Sequence, residues 1–303
     1  MTTQVNWAVV TPSYNLDFER CKLLCRSVDA FLSGAWHHYI VVDPVDIPLF
    51  ASLAGPRRTV INKADILPMG MHYVGKVPFM RLGRLWWSWR HGLIFGWQMQ
   101  QFVKISMASH VKQEAMVFLD SDIFFLKPFD IGTFVHGSQV RFSSVEFPMQ
   151  LENKMKSVSV KLLGLSESAS IKYAYADPII TWHRETTVAM QEYIFKLHHK
   201  PWHEVIGSKI MFSEYMLYIL FVNYIQKANP FLYEDNRVYC KTLWTKETAK
   251  TTDIAEFCSS LEPEQVAVCI QSLIGIHIDV YAQQLERAIQ LYDQPKLKSL
   301  TTN

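Results

Sequence analysis

The sequence has almost no net charge and no long hydrophobic run. Its 30 Lys and Arg residues nearly balance its 28 Asp and Glu residues, so the net charge is +2, and a nucleic-acid-binding surface is not expected. The most apolar late stretch, residues 215–225, is too short to span a bilayer. Residues 1–7 lack the charged and apolar regions of a signal peptide. We therefore expect a cytoplasmic protein without a transmembrane segment, and peripheral association at the inner face of the membrane stays open.

Cysteine is scarce, and its spacing offers no C-x-x-C motif. The five cysteines are odd in number, which argues against a disulfide framework and favours a reducing compartment. Cys21 and Cys25 stand four residues apart in a predicted helix, where packed thiols are a better interpretation than zinc ligands. The sequence also lacks internal repeats and low-complexity tracts.

The composition is that of a globular protein with a full core. Of its 303 residues, 49% are hydrophobic and 13% aromatic, including nine tryptophans, which suits one large α/β domain or two smaller ones. The first 62 residues follow a β-α-β-β pattern, with a strand from residue 7, a helix over 18–32, a strand over 39–42 and a weaker strand over 58–62. This order predicts a mixed, mostly parallel sheet flanked by helices.

Residues 117–129 are the stretch around which the sequence is organised. An apolar, β-favouring run predicts a buried strand, and it contains Asp120 and Asp122 on either side of Ser121. Because strand side chains alternate, both carboxylates are expected on one face. Two buried carboxylates repel each other and lose hydration, and Mg²⁺ or Mn²⁺ would relieve both costs. The alternative is a strand-end turn in which the aspartates cap backbone N–H groups.

The later elements are predicted in less detail. Residues 68–90 are interpreted as a long loop with partial helix, in which arginines surround three tryptophans. A helix over 93–108 carries Trp97, Gln100, Gln101 and Lys104 near one face. A strand over 141–146, a loop over 149–170, a strand over 176–182 and a helix over 184–199 follow. Ser213 suits the N-cap of an apolar helix with Glu214 in its first turn, and the tail is predicted to form helices over 253–257, 262–274 and up to 292.

Polar residues follow three of the predicted strands. Thr11, Pro12 and Ser13 end the first strand, Asp43 follows the second, and the Asp120–Asp122 segment belongs to the third. In open α/β sheets, ligands bind beyond the carboxyl ends of strands. The sequence therefore predicts a ligand site at this edge of the sheet.

The arrangement resembles the GT-A fold of nucleotide-sugar glycosyltransferases. The aspartate motif, which follows a β-α-β start, is similar to the metal-binding Asp-x-Asp of those enzymes. An ordered set of motifs looks like those of a bacterial family of GT-A glycosyltransferases: Gly96-Trp97-x-x-Gln100-Gln101-x-x-Lys104, then Leu119-Asp120-Ser121-Asp122, then Ser213-Glu214-Tyr215. The resemblance covers residues 5–225 well and the tail loosely. It implies a catalytic domain over 1–230, with a nucleotide-binding half over 1–130 and an acceptor half over 131–230, and a helical C-terminal extension over 231–303.

The resemblance also implies roles for individual residues. Thr11, Pro12 and Ser13 would line the nucleotide pocket, Asp43 would contact the base or ribose, and Asp120 the ribose or sugar. Asp122, with Asp120, would ligate Mn²⁺ or Mg²⁺ at the diphosphate, and His277 matches the position of a late histidine ligand. Gln101, Lys104 and an arginine, Arg84 first among those at 81, 84 and 90, would contact the donor or add positive charge at its diphosphate.

An inverting transfer would need a carboxylate base for the acceptor hydroxyl. Glu214 is the first candidate, although a first-turn glutamate that complements the helix dipole is an equal alternative. Asp177 and Asp235 are the reserves. The implied partners are a nucleotide sugar, most readily a UDP-sugar, and a glycan or lipid-linked glycan acceptor of a bacterial surface polysaccharide. A non-catalytic sugar- or protein-binding module on the same fold and, less favoured, a haloacid-dehalogenase-like phosphatase remain the alternatives.

Overall fold

A five-stranded sheet forms the centre of the protein in the computed structural model, which describes residues 5–76, 84–143, 152–167, 169, 178–207 and 212–300. Sixteen strands occur in this part of the chain: β1 (Trp7–Pro12), β2 (Leu32–Ser33), β3 (Trp36–Val42), β4 (Arg58–Asn62), β5 (Met71–Lys76), β6 (Arg84–Ser88), β7 (Gly92–Phe95), β8 (Ala115–Phe118), β9 (Ile123–Phe125), β10 (Phe129–Asp130), β11 (Val135–His136), β12 (Gln139–Ser143), β13 (Ile180–His183), β14 (Leu232–Asp235), β15 (Cys240–Leu243) and β16 (Ala267–Ile270).

Helices cover the faces and ends of this sheet. In the described ranges they are α1 (Phe18–Phe31), α2 (Ile47–Phe50), α3 (Lys63–Ile66), α4 (Gly96–His110), α5 (Glu152–Leu162), α6 (Arg184–His198), α7 (Trp202–Gly207), α8 (Glu214–Leu220), α9 (Lys246–Thr251), α10 (Ile254–Ser259) and α11 (Ile278–Leu300). A π-helical stretch, Phe221–Gln226, continues α8. None of these helices is long and apolar enough to cross a membrane.

The central sheet has the strand order β13-β8-β1-β3-β4. β1 pairs in parallel with both β3 and β8, β3 pairs in parallel with β4, and β13 alone runs antiparallel, against β8. Every residue of β1 is buried, as expected for a parallel strand that is covered by helices on both faces. The predicted mixed, mostly parallel α/β architecture is confirmed.

The two aspartates do not lie along one strand, and that prediction is wrong. β8 ends at Phe118, and residues 119–122 form a turn in which the Ile123 amide donates to the Asp120 carbonyl at 3.1 Å. β9 then leaves the central sheet and pairs antiparallel with β16. The chain changes sheets at this point because β9 finds its hydrogen-bonding partner in the C-terminal segment.

Three other local predictions are wrong. The segment over 68–90 contains the strands β5 and β6, which form an antiparallel sheet with β7, and its residues 77–83 lie outside the described ranges. Buried Trp86 and half-buried Trp87 lie in β6, whereas exposed Trp89 lies in the turn after it. Two of the three tryptophans that suggested a loop therefore belong to a strand. Residues 152–162 of the predicted loop form helix α5, and the helix predicted over 262–274 is replaced by strand β16 and a short 3-10 turn.

The C-terminal segment contains helices and, in addition, three strands, two of which pair with earlier parts of the chain. β14 joins β12, and β16 lies between β15 and β9. Tyr281 stacks on Phe124 with ring centroids 5.6 Å apart, and Tyr292 packs against Phe31 at 5.5 Å. Residues from both sides of position 230 share one hydrophobic core cluster. The division of the chain near residue 230 stays a prediction.

All five cysteines are buried thiols outside any disulfide in the described part of the chain. Cys21 and Cys25 lie on α1 in a small second cluster with Ile40, Val42 and Phe50. The interpretation of this pair as packed thiols is confirmed.

Candidate functional site

The ends of β1 and β8 meet as the sequence predicts. The Ser121 hydroxyl, in the turn between the two aspartates, donates to the Ser13 hydroxyl at 2.8 Å. Both serines are buried, so this bond ties the turn to the end of the first strand. Asp120 remains 46% exposed beside it, which leaves one carboxylate open to a ligand.

Lys104 joins two distant motifs at this edge. Its side chain is 5% exposed, and its Nζ atom lies 3.3 Å from Glu214 Oε1 and 3.5 Å from Asp120 Oδ1. It also donates to the Tyr215 hydroxyl and lies 4.4 Å from the centre of that ring. Lys104 comes from the middle of α4, Asp120 from the turn after β8, and Glu214 and Tyr215 from the start of α8. Motifs separated by more than a hundred positions therefore converge on one ammonium group.

Lys104 shifts the pKa values of Glu214 and Tyr215, and these two groups in turn shift that of Lys104. Burial alone would lower the pKa of Lys104, but Asp120, Tyr215 and Glu214 outweigh it and raise the pKa well above its usual value. Lys104 is therefore a permanent cation. Burial raises the pKa of Glu214 although Lys104 opposes the shift, and burial likewise raises the pKa of Tyr215. A carboxylate with a raised pKa is a better proton acceptor than an ordinary glutamate.

The start of α8 fixes the position of Glu214. Ser213 is the N-cap in extended conformation, and its hydroxyl accepts from the Met216 amide at 3.4 Å. Glu214 is 4% exposed in the first turn, where the helix dipole favours a negative charge. The predicted N-cap is confirmed.

Asp122 is held by the C-terminal segment. Its Oδ2 atom accepts from the Ser272 amide at 3.1 Å, and the Cys269 thiol lies 3.6 Å from its Oδ1 atom. Burial, followed by the neighbouring Asp120, raises the pKa of Asp122 to about 7. The capping alternative for the aspartates thus applies to Asp122, but its partner lies 150 positions away along the chain.

The carboxylate oxygens in this turn are ligands of the kind that a hard divalent cation prefers. Asp120 and Asp122 supply carboxylate oxygens next to one another, and Mg²⁺ is commonly held by one or two carboxylates together with substrate phosphates. Among the described residues, no three His, Cys, Asp or Glu side chains form a group that could hold a metal ion. His277 is 76% exposed, and its Nδ1 atom lies 3.1 Å from the Asp279 carboxylate, so its role as a ligand stays a prediction.

Asp43 lies at the end of β3, where it is buried and both of its carboxylate oxygens have hydrogen-bonding partners. Lys63 Nζ lies 2.7 Å from one carboxylate oxygen, which also accepts from the Trp86 indole at 3.1 Å. Arg84 donates to the other oxygen at 3.1 Å and also pairs with Asp46. Arg84 therefore lies beside Asp43 and not in the Lys104 cluster. The sequence analysis missed Lys63 and Asp46, although Asp46 follows Asp43 by only three residues.

The remaining predicted residues are placed as follows. The Thr11 hydroxyl lies 2.9 Å from His38 Nε2 inside the sheet, and Pro12 is buried. Gln101 is 2% exposed, and its amide finds no hydrogen-bond partner in the described part of the chain. Asp235 is held by Arg237 and by the buried Arg141. Asp177 lies outside the described residues, and the roles predicted for all these side chains stay predictions.

The chain belongs to a family of unknown function, DUF6492, whose model matches residues 8–292. No curated protein matches the sequence.

Among solved structures, the chain is similar in overall shape to sugar transferases. An active-site mutant of LgtC shares 10% identity and a TM-score of 0.49, with 95% of each chain covered. The galactosyltransferase LgtC with donor and acceptor sugar analogues shares 8% identity and a TM-score of 0.44, with 94% of each chain covered. Mouse xyloside xylosyltransferase 1 shares 8% identity and a TM-score of 0.46, with coverage of 90% of this chain and 100% of that one. At these values the comparison assigns no activity.

Proposed function

We propose that this protein is a divalent-metal-dependent glycosyltransferase of the GT-A type, which moves a sugar from a nucleotide-sugar donor to a hydroxyl acceptor. The observation that carries the proposal is the convergence of Asp120, Lys104 and Glu214 at the carboxyl ends of the central strands. A metal-binding carboxylate, a buried cation and a candidate base with a raised pKa are what this transfer requires within one site.

Each group has a distinct task in this mechanism. Asp122 and Asp120 would hold Mn²⁺ or Mg²⁺, which acts as a Lewis acid towards the diphosphate leaving group. Lys104 adds a fixed positive charge beside Asp120, where its burial keeps it from being screened by water. Glu214 takes the proton of the acceptor hydroxyl in an inverting transfer, and its first-turn position keeps the carboxylate oriented.

The finer assignments follow from the same proposal. A UDP-sugar is the proposed donor, and a glycan or lipid-linked glycan of a bacterial surface polysaccharide is the proposed acceptor. The proposed location is the cytoplasm, at the inner face of the membrane. Exposed Trp89 and Leu93, which are 79% and 51% accessible, support peripheral membrane contact because tryptophan favours the membrane interface.

A thermal-shift screen tests the proposal. We expect one of UDP, GDP or CMP to raise the melting temperature only when Mn²⁺ is present, since a ligand that binds the folded state stabilises it by mass action. Asp122→Ala should abolish this shift, and Glu264→Ala, which removes an exposed carboxylate, should preserve it. No shift with any nucleotide, or an undiminished shift in Asp122→Ala, would overturn the metal-dependent donor site and favour a binding module.

A further inference from the structure

A cavity of about 600 Å³ lies between the β6–β7 turn and the helices α5, α6 and α7. In the described part of the chain, four segments line it: the β6–β7 turn with Arg90 and His91, the end of α5 with Lys161, the residues at the end of α6 with His198 and Lys200, and α7 with Glu204. None of these side chains takes part in the cluster around Lys104. The cavity therefore has no role in the mechanism described so far.

The topology places this cavity at the same edge of the sheet as Lys104. β13 runs antiparallel to β8, with Ile180 opposite Phe118, so α6 turns back and ends near the carboxyl end of β8. α4 runs the other way, and Phe102 in its first half packs against Trp202, with ring centroids 5.8 Å apart. The first half of α4 thus separates the cavity from the candidate active centre. A ligand in the cavity would therefore lie on the α7 side of α4.

The lining of the cavity is strongly basic. Among the described residues it contains three basic side chains, Arg90, Lys161 and Lys200, and one carboxylate, Glu204. Its net charge of +2 equals that of the whole chain, so a surface that is otherwise balanced concentrates positive charge here. Arg90 Nη1 lies 2.9 Å from Glu204, which positions the guanidinium, while Lys161 and Lys200 are exposed.

Two histidines also line the cavity, and neighbouring segments hold both rings. His198 Nε2 lies 2.8 Å from the Leu162 carbonyl, which fixes the proton on that nitrogen and ties α6 to α5. His91 packs against Gly207, where a Cβ atom would lie 2.5 Å from its Cδ2 atom. Burial lowers the pKa of His91, and its Nε2 atom has no hydrogen-bond partner among the described residues.

We propose that this basic cavity, which is lined by Arg90, His91, Lys161, His198 and Lys200, binds a phosphate or diphosphate group of the acceptor substrate. Lysine and arginine are the usual partners of phosphate oxygens, and Lys161 and Lys200 are exposed at the cavity. The proposal rests on the glycosyltransferase function, because it assigns the class of acceptor: a phosphorylated glycan or a glycan on a lipid phosphate. A neutral sugar would offer no anionic group to Lys161 and Lys200.

Titration calorimetry with pyrophosphate tests the cavity. The titration is made with EDTA present, so that no divalent ion draws the probe to Asp120 and Asp122. We expect the double variant Lys161→Glu/Lys200→Glu to bind pyrophosphate at least tenfold more weakly than the wild-type protein. The matched control Lys112→Glu/Lys250→Glu changes the net charge equally at exposed positions outside the cavity and should bind as the wild type does. Equal weakening in both double variants, or no binding to the wild type, would overturn the proposal.

Two further arms separate this inference from the proposed function and identify the source of the phosphate. Nucleotide binding with Mn²⁺ should be unchanged in Lys161→Glu/Lys200→Glu; its loss in that variant would mean that the cavity serves the donor, which overturns the acceptor assignment. Co-sedimentation with vesicles of phosphatidylcholine, with and without phosphatidic acid, distinguishes the acceptors. Binding to the acidic vesicles that the double variant loses assigns a lipid phosphate, whereas pyrophosphate binding without vesicle binding assigns a soluble phosphorylated glycan.

Discussion

Lys104 shows how a single residue connects the parts of the candidate site. A buried ammonium group is unfavourable unless it is paired, and here two carboxylates and a phenol surround it. The pairing leaves Asp120 half-exposed, whereas Glu214 is almost completely buried. The exposed partner suits ligand binding, and the buried partner suits proton transfer because burial raises its pKa.

Glu214→Gln should lower the transfer rate by roughly 10²–10⁴-fold, the usual effect of losing a general base, without weakening nucleotide binding. In the wild type, the rate should fall as the pH drops through the pKa of Glu214, because the carboxylate must be ionised to accept a proton. Since burial raises this pKa above the usual 4.5, the fall should begin at a higher pH than for an exposed glutamate. The measurement is the pH profile of kcat with the nucleotide identified by thermal shift.

Glu185→Gln is the matched control, because Glu185 occupies the first turn of α6 and its side chain is 59% exposed. This variant should keep the wild-type rate and pH profile. Normal transfer by Glu214→Gln would exclude Glu214 as the base.

Asp235→Ala should lower the free energy of unfolding by about 3 kcal/mol, because it removes a carboxylate that pairs with a buried guanidinium. Arg141 is 0% exposed and its Nε atom lies 3.6 Å from Asp235, which also pairs with Arg237. Urea denaturation measures the change, and Asp279→Ala, which removes an exposed partner of His277, should alter stability by less than about 0.5 kcal/mol. A similarly small change in Asp235→Ala would show that Arg141 does not depend on this carboxylate.

The ion pair between Asp235 and Arg141 also predicts how the stability of the protein changes at acidic pH. Burial alone would raise the pKa of Asp235, but the hydrogen bonds from Arg237 and the charges of Arg141 and Arg237 hold it below its usual value of 3.8. A carboxylate with a lowered pKa in the folded state stabilises the protein fully above the usual value, and this contribution is lost as the pH falls through the lower one. Between about pH 5 and pH 3, Asp235→Asn should therefore lose less stability than the wild type.

At the residue scale, the sequence predicted contacts correctly where a general rule about strand ends or helix caps applies to the residues involved. The strand-end rule brought Ser13 and Ser121 to one edge, and the capping preference of serine placed Ser213 before Glu214. It missed the contact of Asp122 with Ser272, because no local pattern connects positions 150 residues apart. It also missed Lys63 as the partner of Asp43, since a buried ion pair leaves no periodic signal in a sequence.

At the scale of elements, hydrophobic pattern identified most strands and helices but not where the chain changes sheets. The strand β4 (Arg58–Asn62) has its predicted bounds, and α6 (Arg184–His198) differs by one residue. The run after Phe118 looked like one strand because β8 and β9 are both apolar. Only the pairing of β9 with β16 divides them, and pairing with a distant segment is not encoded locally.

Ser213→Ala tests whether the start of α8 sets the geometry of the site. Loss of an N-cap lowers stability by about 1 kcal/mol, and the freed first turn should misplace Glu214 enough to reduce kcat by about tenfold. Thr245→Ala is the control, since Thr245 caps α9 through the Thr248 amide at 3.2 Å. Both variants should lose similar stability in urea, and only Ser213→Ala should lose activity. Equal activity in the two variants would show that the cap does not position Glu214.

At the scale of the whole molecule, the C-terminal segment is expected to be inseparable from the rest of the fold. Its strand β16 is completely buried and lies between β15 and β9, and Ser272, just beyond it, holds Asp122. A chain that ends at residue 230 would expose the edges of β9 and β12 and open the core that Tyr281 and Leu285 fill. We therefore predict that the truncated chain has no cooperative thermal transition, whereas the full chain unfolds in one.

A milder truncation, which ends the chain at residue 292, provides the control for calorimetry. It keeps the contact between Phe31 and Tyr292 and should preserve the single transition. A cooperative transition in the chain that ends at residue 230, together with Mn²⁺-dependent nucleotide binding, would mean that Asp122 holds its position without Ser272. In that case residues 1–230 would form an independent catalytic domain. The expected loss of both properties follows from the pairing of β9, because the strand that carries the chain out of the aspartate turn has its partner in residues 267–269.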